Sequence, residues 1–262
     1  MIRALYTAAS GMNAQQANLD TVANNLANSA TTGFRRRRLQ FEDMIYQNMI
    51  TPGSPASQQT TSAGLQIGLG TRSVATEMIM TQGDFTKTDN PYDLAIQGQG
   101  FFQLSRPDGT LAYTRSGNFH LTNQGLIVTA DGDTLMPGIT IPQNASNVTI
   151  SQYGVISATL PGQTTPQQLG TIQLATFANP GGLSSMGGNL FSQTQASGNV
   201  ITDTPGGTSG VGTLQQQYLE NSNVDVVSEF VQMILAQRAY ESNSKVIHVA
   251  DDMYSQINNM VR

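Results

Sequence analysis

Apolar residues recur every seven positions at both ends of this chain. In the first 30 residues Leu5, Met12, Leu19 and Leu26 keep that spacing, with Ala8, Gln15 and Val22 three residues later in each heptad. Gln15 weakens this seam. Toward the other end the repeat is Val226, Met233, Tyr240, Ile247, Tyr254 and Val261, and a second row holds Ala236, Asn243, Ala250 and Ile257. Spacings of three and four place such residues on one helical face. Seven residues fall slightly short of two full turns, so a long repeat of seven winds the seam left-handed around a partner. Asn223 can cap the second helix, and Asp225 and Glu229 suit its positive N-terminal dipole. An isolated amphipathic helix is marginal in water. The two ends are therefore expected to bury their seams against each other or against the ends of other copies.

The middle of the chain has a different pattern. From about residue 64 to 215 no helical period is sustained. Short alternating runs occur at Asp93–Ile96, Phe102–Leu104, Gly125–Val128, Val148–Ile150 and Thr171–Leu174. Turn signals separate them at Pro107-Asp108-Gly109, Asn123-Gln124-Gly125, Ala130-Asp131-Gly132 and Pro161-Gly162. This predicts an antiparallel β domain. Ahead of it Leu39 and Phe41 alternate like a strand, and TPGSPASQQTTSAG (51–64) reads as a long loop or hairpin tip. The expected fold is α+β, in four parts. Residues 1–30 form an N-terminal helix and 31–70 an extended, hairpin-like linker. Residues 71–215 form the β domain, and 216–262 return to a C-terminal helix packed on the first as a coiled coil.

Charged residues make up only 11% of the chain, against about 25% in ordinary globular proteins. A monomer with so few charges is poorly protected against self-association. The net charge of -5 argues against generic nucleic-acid binding, which needs a broad basic face. The absence of cysteine removes disulfides, thiolate nucleophiles and most zinc sites. The opening MIRALYTAASGMNAQQ lacks the continuous apolar core of a signal peptide. No stretch approaches the ~20 apolar residues of a membrane span, so no direct membrane insertion is expected.

Candidate chemistry is sparse. His120 and His248 have no second ligand at metal-site spacing. Gly98-Gln99-Gly100 lacks the third glycine of a dinucleotide loop, and a strand bulge or tight packing explains it better. Asp131-Gly132-Asp133 lacks the other calcium-loop ligands. Glu42 and Asp43 point to opposite faces of a strand. No nucleophile, base and orienting group come together. Neither an enzyme nor a bound cofactor or metal is expected.

The stretch NNLANSATTGFRRRR (24–38) carries the candidate interface. Asn24 and Asn28 lie nearly opposite the leucine seam, and with Asn25 they form a polar back face suited to protein contact. Gly33 and Phe34 mark where helix gives way to extended chain. Arg35 and Arg37 share a strand face with Leu39, while Arg36 and Arg38 point the other way. A solvated face and charge-assisted pairing with carboxylates of a neighbouring copy are both open.

Four motifs in order resemble the bacterial flagellar rod and hook family. They are NNLANSATTGF (24–34), DLAIQGQGFF (93–102) with AYTRSGNF (112–119), and SNVDVVSEFVQMILAQRAYESN (222–243). The FEDMIYQ stretch (41–47) and the extra residues from about Tyr46 to Ala63 resemble distal-rod members, in which the family links the insertion to a straight, stiff rod. The resemblance implies a structural subunit that self-assembles into a hollow helical drive shaft, transmitting torque from motor to hook around an export channel. It implies terminal helices as the inner layer and the β domain as the outer one. The implied partners are further copies, proximal rod proteins, the hook protein, the P-ring and L-ring proteins and the flagellar type III export apparatus. The implied location is the basal body, where the rod crosses the periplasm after export without a cleaved leader. A β-rich bacterial surface binding module or adhesin is the alternative. It leaves the terminal seams unexplained.

Overall fold

The computed structural model describes residues 2–50, 55–56, 59–60, 64–145, 147–162 and 165–260. They form two compact units.

The first unit holds residues 1–27, 37–78 and 225–262. Its helices are α1, Ile2–Ala27, and α2, Val226–Met260. They pack on one another, and an antiparallel hairpin built in three successive rungs packs on α1. Arg37–Asp43 pairs with Thr71–Met78, Tyr46–Ile50 with Leu65–Gly68, and Pro55–Ala56 with Gln59–Thr60. The hairpin expected around 51–64 is thus present where it is described; the rest of that stretch, like Val261, lies outside the described residues.

Small side chains set the spacing of the two helices. The buried apolar residues are Ala8, Ala14 and Val22 on α1, and Ala236 and Ala250 on α2. A Cβ on Gly11 would stand 2.8 Å from Asn243 Nδ2. Leu5, Met12, Leu19 and Leu26 are only half-buried, beside this closest line of approach. The burial is displaced from the leucine seam because α1 is covered twice, by α2 and by the hairpin. On the hairpin side the Ser10 hydroxyl accepts from the Thr71 N–H at 3.3 Å. A Cβ on Gly70 would collide with that hydroxyl. The back face expected to meet other molecules is therefore partly filled by the chain's own hairpin.

Asn223 was expected to cap α2, but Asp225 does so. Its carboxylate accepts from the Val227 N–H at 3.1 Å and from the Ser228 hydroxyl at 2.6 Å. This geometry satisfies donors that the first helical turn leaves unpaired.

The second unit holds residues 28–36 and 79–224, and its described strand pairs are antiparallel. Phe101–Ser105 runs through the largest sheet, with Leu111–Thr114, Thr134–Leu135 and Leu174–Thr176 as its neighbours. Asn147–Ile150, Val155–Thr159 and Gln167–Thr171 form a separate three-stranded sheet. Leu94, Ile96, Phe102, Leu104, Phe119, Ile141, Ile156 and Ile172 build the common core. Phe102 and Phe119 meet edge-on with centroids 5.1 Å apart, the orientation their quadrupoles favour. The expected turns fall at strand ends, as at Pro107-Asp108-Gly109, where the Gly109 N–H reaches the Arg106 carbonyl at 2.9 Å. Two strand pairs close the unit: Leu94–Gln97 with Thr213–Gln216, and Phe85–Lys87 with Tyr218–Glu220.

Candidate assembly site

The arginine run opens the way into the best-defined polar cluster of the second unit. Its centre is Glu220, at the end of the strand Tyr218–Glu220 and 2% exposed. Glu220 Oε1 accepts from Arg35 Nη2 at 2.6 Å and from the Gly83 N–H at 3.0 Å. Its Oε2 accepts from Arg115 Nε at 2.6 Å. Arg115 spends its other donors on main chain: Nη1 on the Gly100 carbonyl at 2.6 Å, and Nη2 on those of Ile96 and Gly98, each at 2.7 Å. Burial holds the Arg115 guanidinium below its ordinary pKa; the Glu220 carboxylate opposes that and the Arg35 charge adds to it.

The local chain is shaped to allow this. Gly98 and Gly100 have φ of +107° and +134°, where a Cβ is strained. That conformation turns the Ile96, Gly98 and Gly100 carbonyls toward one guanidinium. The Gly-Gln-Gly segment, expected to be a bulge or a close approach, is thus a carbonyl cradle. Gly33, with φ +69°, donates its N–H to the Glu220 carbonyl at 2.8 Å. A Cβ there would lie 2.6 Å from the Ser116 nitrogen. Phe34 is half-buried, and its carbonyl accepts from the Asn223 N–H at 3.4 Å. The Asn223 side chain accepts from the Arg36 N–H at 2.7 Å and donates to the Ile79 and Thr81 carbonyls, each at 2.9 Å.

Of the four arginines, Arg35 and Arg38 find a carboxylate within the chain itself. Arg35 is paired within its own unit and buried. In the first unit Arg38 reaches Glu77 at 2.8 Å with both side chains exposed, and Arg37 is held by its backbone. The Arg37 N–H donates to Asn25 Oδ1 at 2.9 Å, and Asn25 Nδ2 donates to the Arg37 carbonyl at 2.8 Å and to Glu229 Oε2 at 3.1 Å. Asn25 is 1% exposed, so it is not on an outer face. It ties α1, the hairpin and α2 together. Asn24 is exposed, and Asn28 accepts from the Thr31 hydroxyl at 3.2 Å.

Sequence reasoning missed Arg115, Glu220 and Glu229 as structural centres. The one signal available was scarcity: in a chain this poor in charge, each isolated Arg or Glu is a candidate for burial with a partner. Along the α2 seam, Met233 and Ile247 are half-buried, while Val226, Tyr240 and Tyr254 keep 38–39% of their surface exposed. Val227, Val231, Ile234, Leu235, Val249 and Met253 are apolar and exposed on the rest of that helix. Among the described residues no three His, Cys, Asp or Glu side chains converge on a metal position, and no helix is long and apolar enough to cross a membrane.

Three family models match the chain: flagella basal body rod protein at residues 5–35, flagellar hook protein FlgE/F/G D1 domain at 95–158, and flagellar basal body rod FlgEFG protein C-terminal at 215–260. The chain is 50% identical to the flagellar basal-body rod protein FlgG of Caulobacter vibrioides, covering 96% of this chain and 97% of the relative. It is 48% identical to the FlgG of Buchnera aphidicola from Schizaphis graminum, covering 99% and 100%, and 46% identical to that of Borreliella burgdorferi over all of both chains. The chain belongs to the FlgG family of flagellar basal-body rod proteins. In this FlgG-family chain the buried triad takes one residue from each matched segment: Arg35 from the first, Arg115 from the second and Glu220 from the third. The three matched segments thus meet at one carboxylate.

Proposed function

We propose that the chain is the structural subunit of the flagellar distal rod, polymerising with copies of itself into a hollow shaft that carries torque to the hook. One observation supports this most strongly. Helix α2 is apolar on the side that meets α1 and again away from it, where Val227, Val231, Leu235, Val249 and Met253 face solvent. Exposed patches of this kind mark sites of protein association. The hairpin adds Phe41, Ile45, Tyr46, Met49 and Ile50, all exposed. Copies that meet through two different surfaces build an open helical polymer when the rotation between them does not close a ring. The seven-residue repeats then seat α1 and α2 as a coiled coil among neighbouring copies, with Asn24, Arg36 and Arg38 at the rim of those contacts. The further partners in this reading are proximal rod proteins, the hook protein, the P-ring and L-ring proteins and the flagellar export apparatus.

The test is to place a lysine on the outward face of α2, as Val231→Lys or Val249→Lys, and to follow polymerisation by sedimentation and negative-stain imaging. Both variants should melt as monomers within about 0.5 kcal/mol of the parent, because the sites are exposed. Neither should form straight tubes. Tubes of normal yield from both variants would overturn the reading.

A further inference from the structure

Beside the triad lies a cleft of about 90 Å³ within the second unit, bordered by Arg35, Arg115, Met80, Phe101, Phe177 and Pro180. Arg35 is 4% exposed, and its Nη1 has no hydrogen-bond partner. Its other terminal nitrogen is taken by Glu220. Both arginines pair with that one carboxylate, so the cluster holds two positive charges against one negative. A buried cation without an acceptor is costly. Nη1 carries two N–H donors on a rigid guanidinium, and the surplus charge favours an anionic acceptor over a carbonyl. The space is several times what one water needs, enough for the end of an acidic side chain. Met80, Phe101, Phe177 and Pro180 line the cleft with apolar surface. Such a lining suits the methylene stem of Asp or Glu better than a hydrated free ion. The chain has 17 acidic against 12 basic residues, so every copy carries surplus carboxylates.

We propose that this cleft receives one carboxylate side chain from a second copy of the chain, which completes the charge balance at Arg35. The proposal rests on the reading of the chain as a self-assembling subunit. It turns the buried triad into a receptor that is satisfied only in the polymer.

The experiment uses the full chain in two arms. In the first, guanidinium nitrogen signals of the monomer are followed by NMR during titration with acetate, with chloride as the control ion. Acetate should shift the Arg35 signals saturably and chloride should not. In the second arm Met80→Glu places a carboxylate in the cleft from the same chain, and Met80→Gln is its neutral control. M80E should melt no lower than M80Q, should lose the acetate response, and should assemble about tenfold less than M80Q. No saturable acetate shift means that the cleft is not an acceptor site and overturns the proposal. M80E melting well below M80Q overturns it too, because the added acid has then found no cation. Acetate binding with normal M80E assembly means that the cleft takes free carboxylates rather than a neighbour's, which also overturns it. If the unmodified chain forms no polymer, the rod reading fails first, and the acetate arm then reports on the cleft alone.

Discussion

Replacing Glu220 by glutamine keeps the shape of the side chain and removes its charge. The carboxylate accepts from Arg35 and Gly83 on one oxygen and from Arg115 on the other. In Glu220→Gln one of those oxygens becomes an NH2 group that faces a guanidinium donor. One charge-assisted hydrogen bond is lost outright, worth about 1.5–3 kcal/mol. Two buried arginines are also left without a counter-charge, and Arg115 cannot turn to water while three carbonyls hold it. Breaking one side of a buried ion pair costs about 3–5 kcal/mol. For a domain of this size that corresponds to a fall of roughly 6–20 °C in Tm. Calorimetry of the monomeric protein should show this fall in the transition assigned to the β unit. Arg38→Gln is the comparison, since its partner Glu77 is exposed; it should change stability by less than about 1 kcal/mol. If the two variants melted alike, the triad would not be the structural centre described above.

Three further outcomes are expected. Gly33→Ala should cost clearly more in urea unfolding than Gly109→Ala, although both glycines have positive φ, because only the former meets backbone within 3 Å; equal losses would mean that conformation alone matters. Asn25→Ala should destabilise the helical unit by about 2–4 kcal/mol, since it strands the Arg37 N–H and carbonyl; helix content and melting by circular dichroism decide it, and an unchanged melt would remove Asn25 from its proposed place. Asp203 has its pKa lowered by the Ser209 side chain and then by the Thr204 and Ser209 N–H groups. A depressed carboxylate stabilises the fold above its ordinary value and loses that contribution as pH falls through the folded value. Asp203→Asn should therefore melt below the parent near neutral pH, with the gap closing in acid; a gap that widens in acid would reverse the assignment.

The elements were legible because their periods are long or their turns explicit. The repeat of seven predicted α2 to within a few residues at each end, and the Asp-Gly and Gln-Gly turns separated real strands. The choice of the most buried face of α1 was not legible. Leucine spacing pointed to one side, but the hairpin covers another, and nothing local to α1 says where the hairpin will lie. Asn25 failed for the same reason. Its polarity looked like an outward face, whereas its amide is spent on a backbone pair that exists only after residues 37–43 have folded back. Arg35 and Arg115 were both in view as parts of motifs. Their shared acid lies far away in sequence at Glu220, and pattern reading along the chain has no means to join them.

The same distances say when the chain can fold. Arg35 and Arg115 are separated from Glu220 by 185 and 105 positions, and Asn25 from Glu229 by 204. Both units therefore wait for the final stretch of the chain before their polar centres can close. Contacts of such high order are slow to form, because the entropy of closing the loop is spent before any contact repays it. The ion cluster of the second unit can close only once Glu220 is in place, and the Asn25 tie of the first only once Glu229 is.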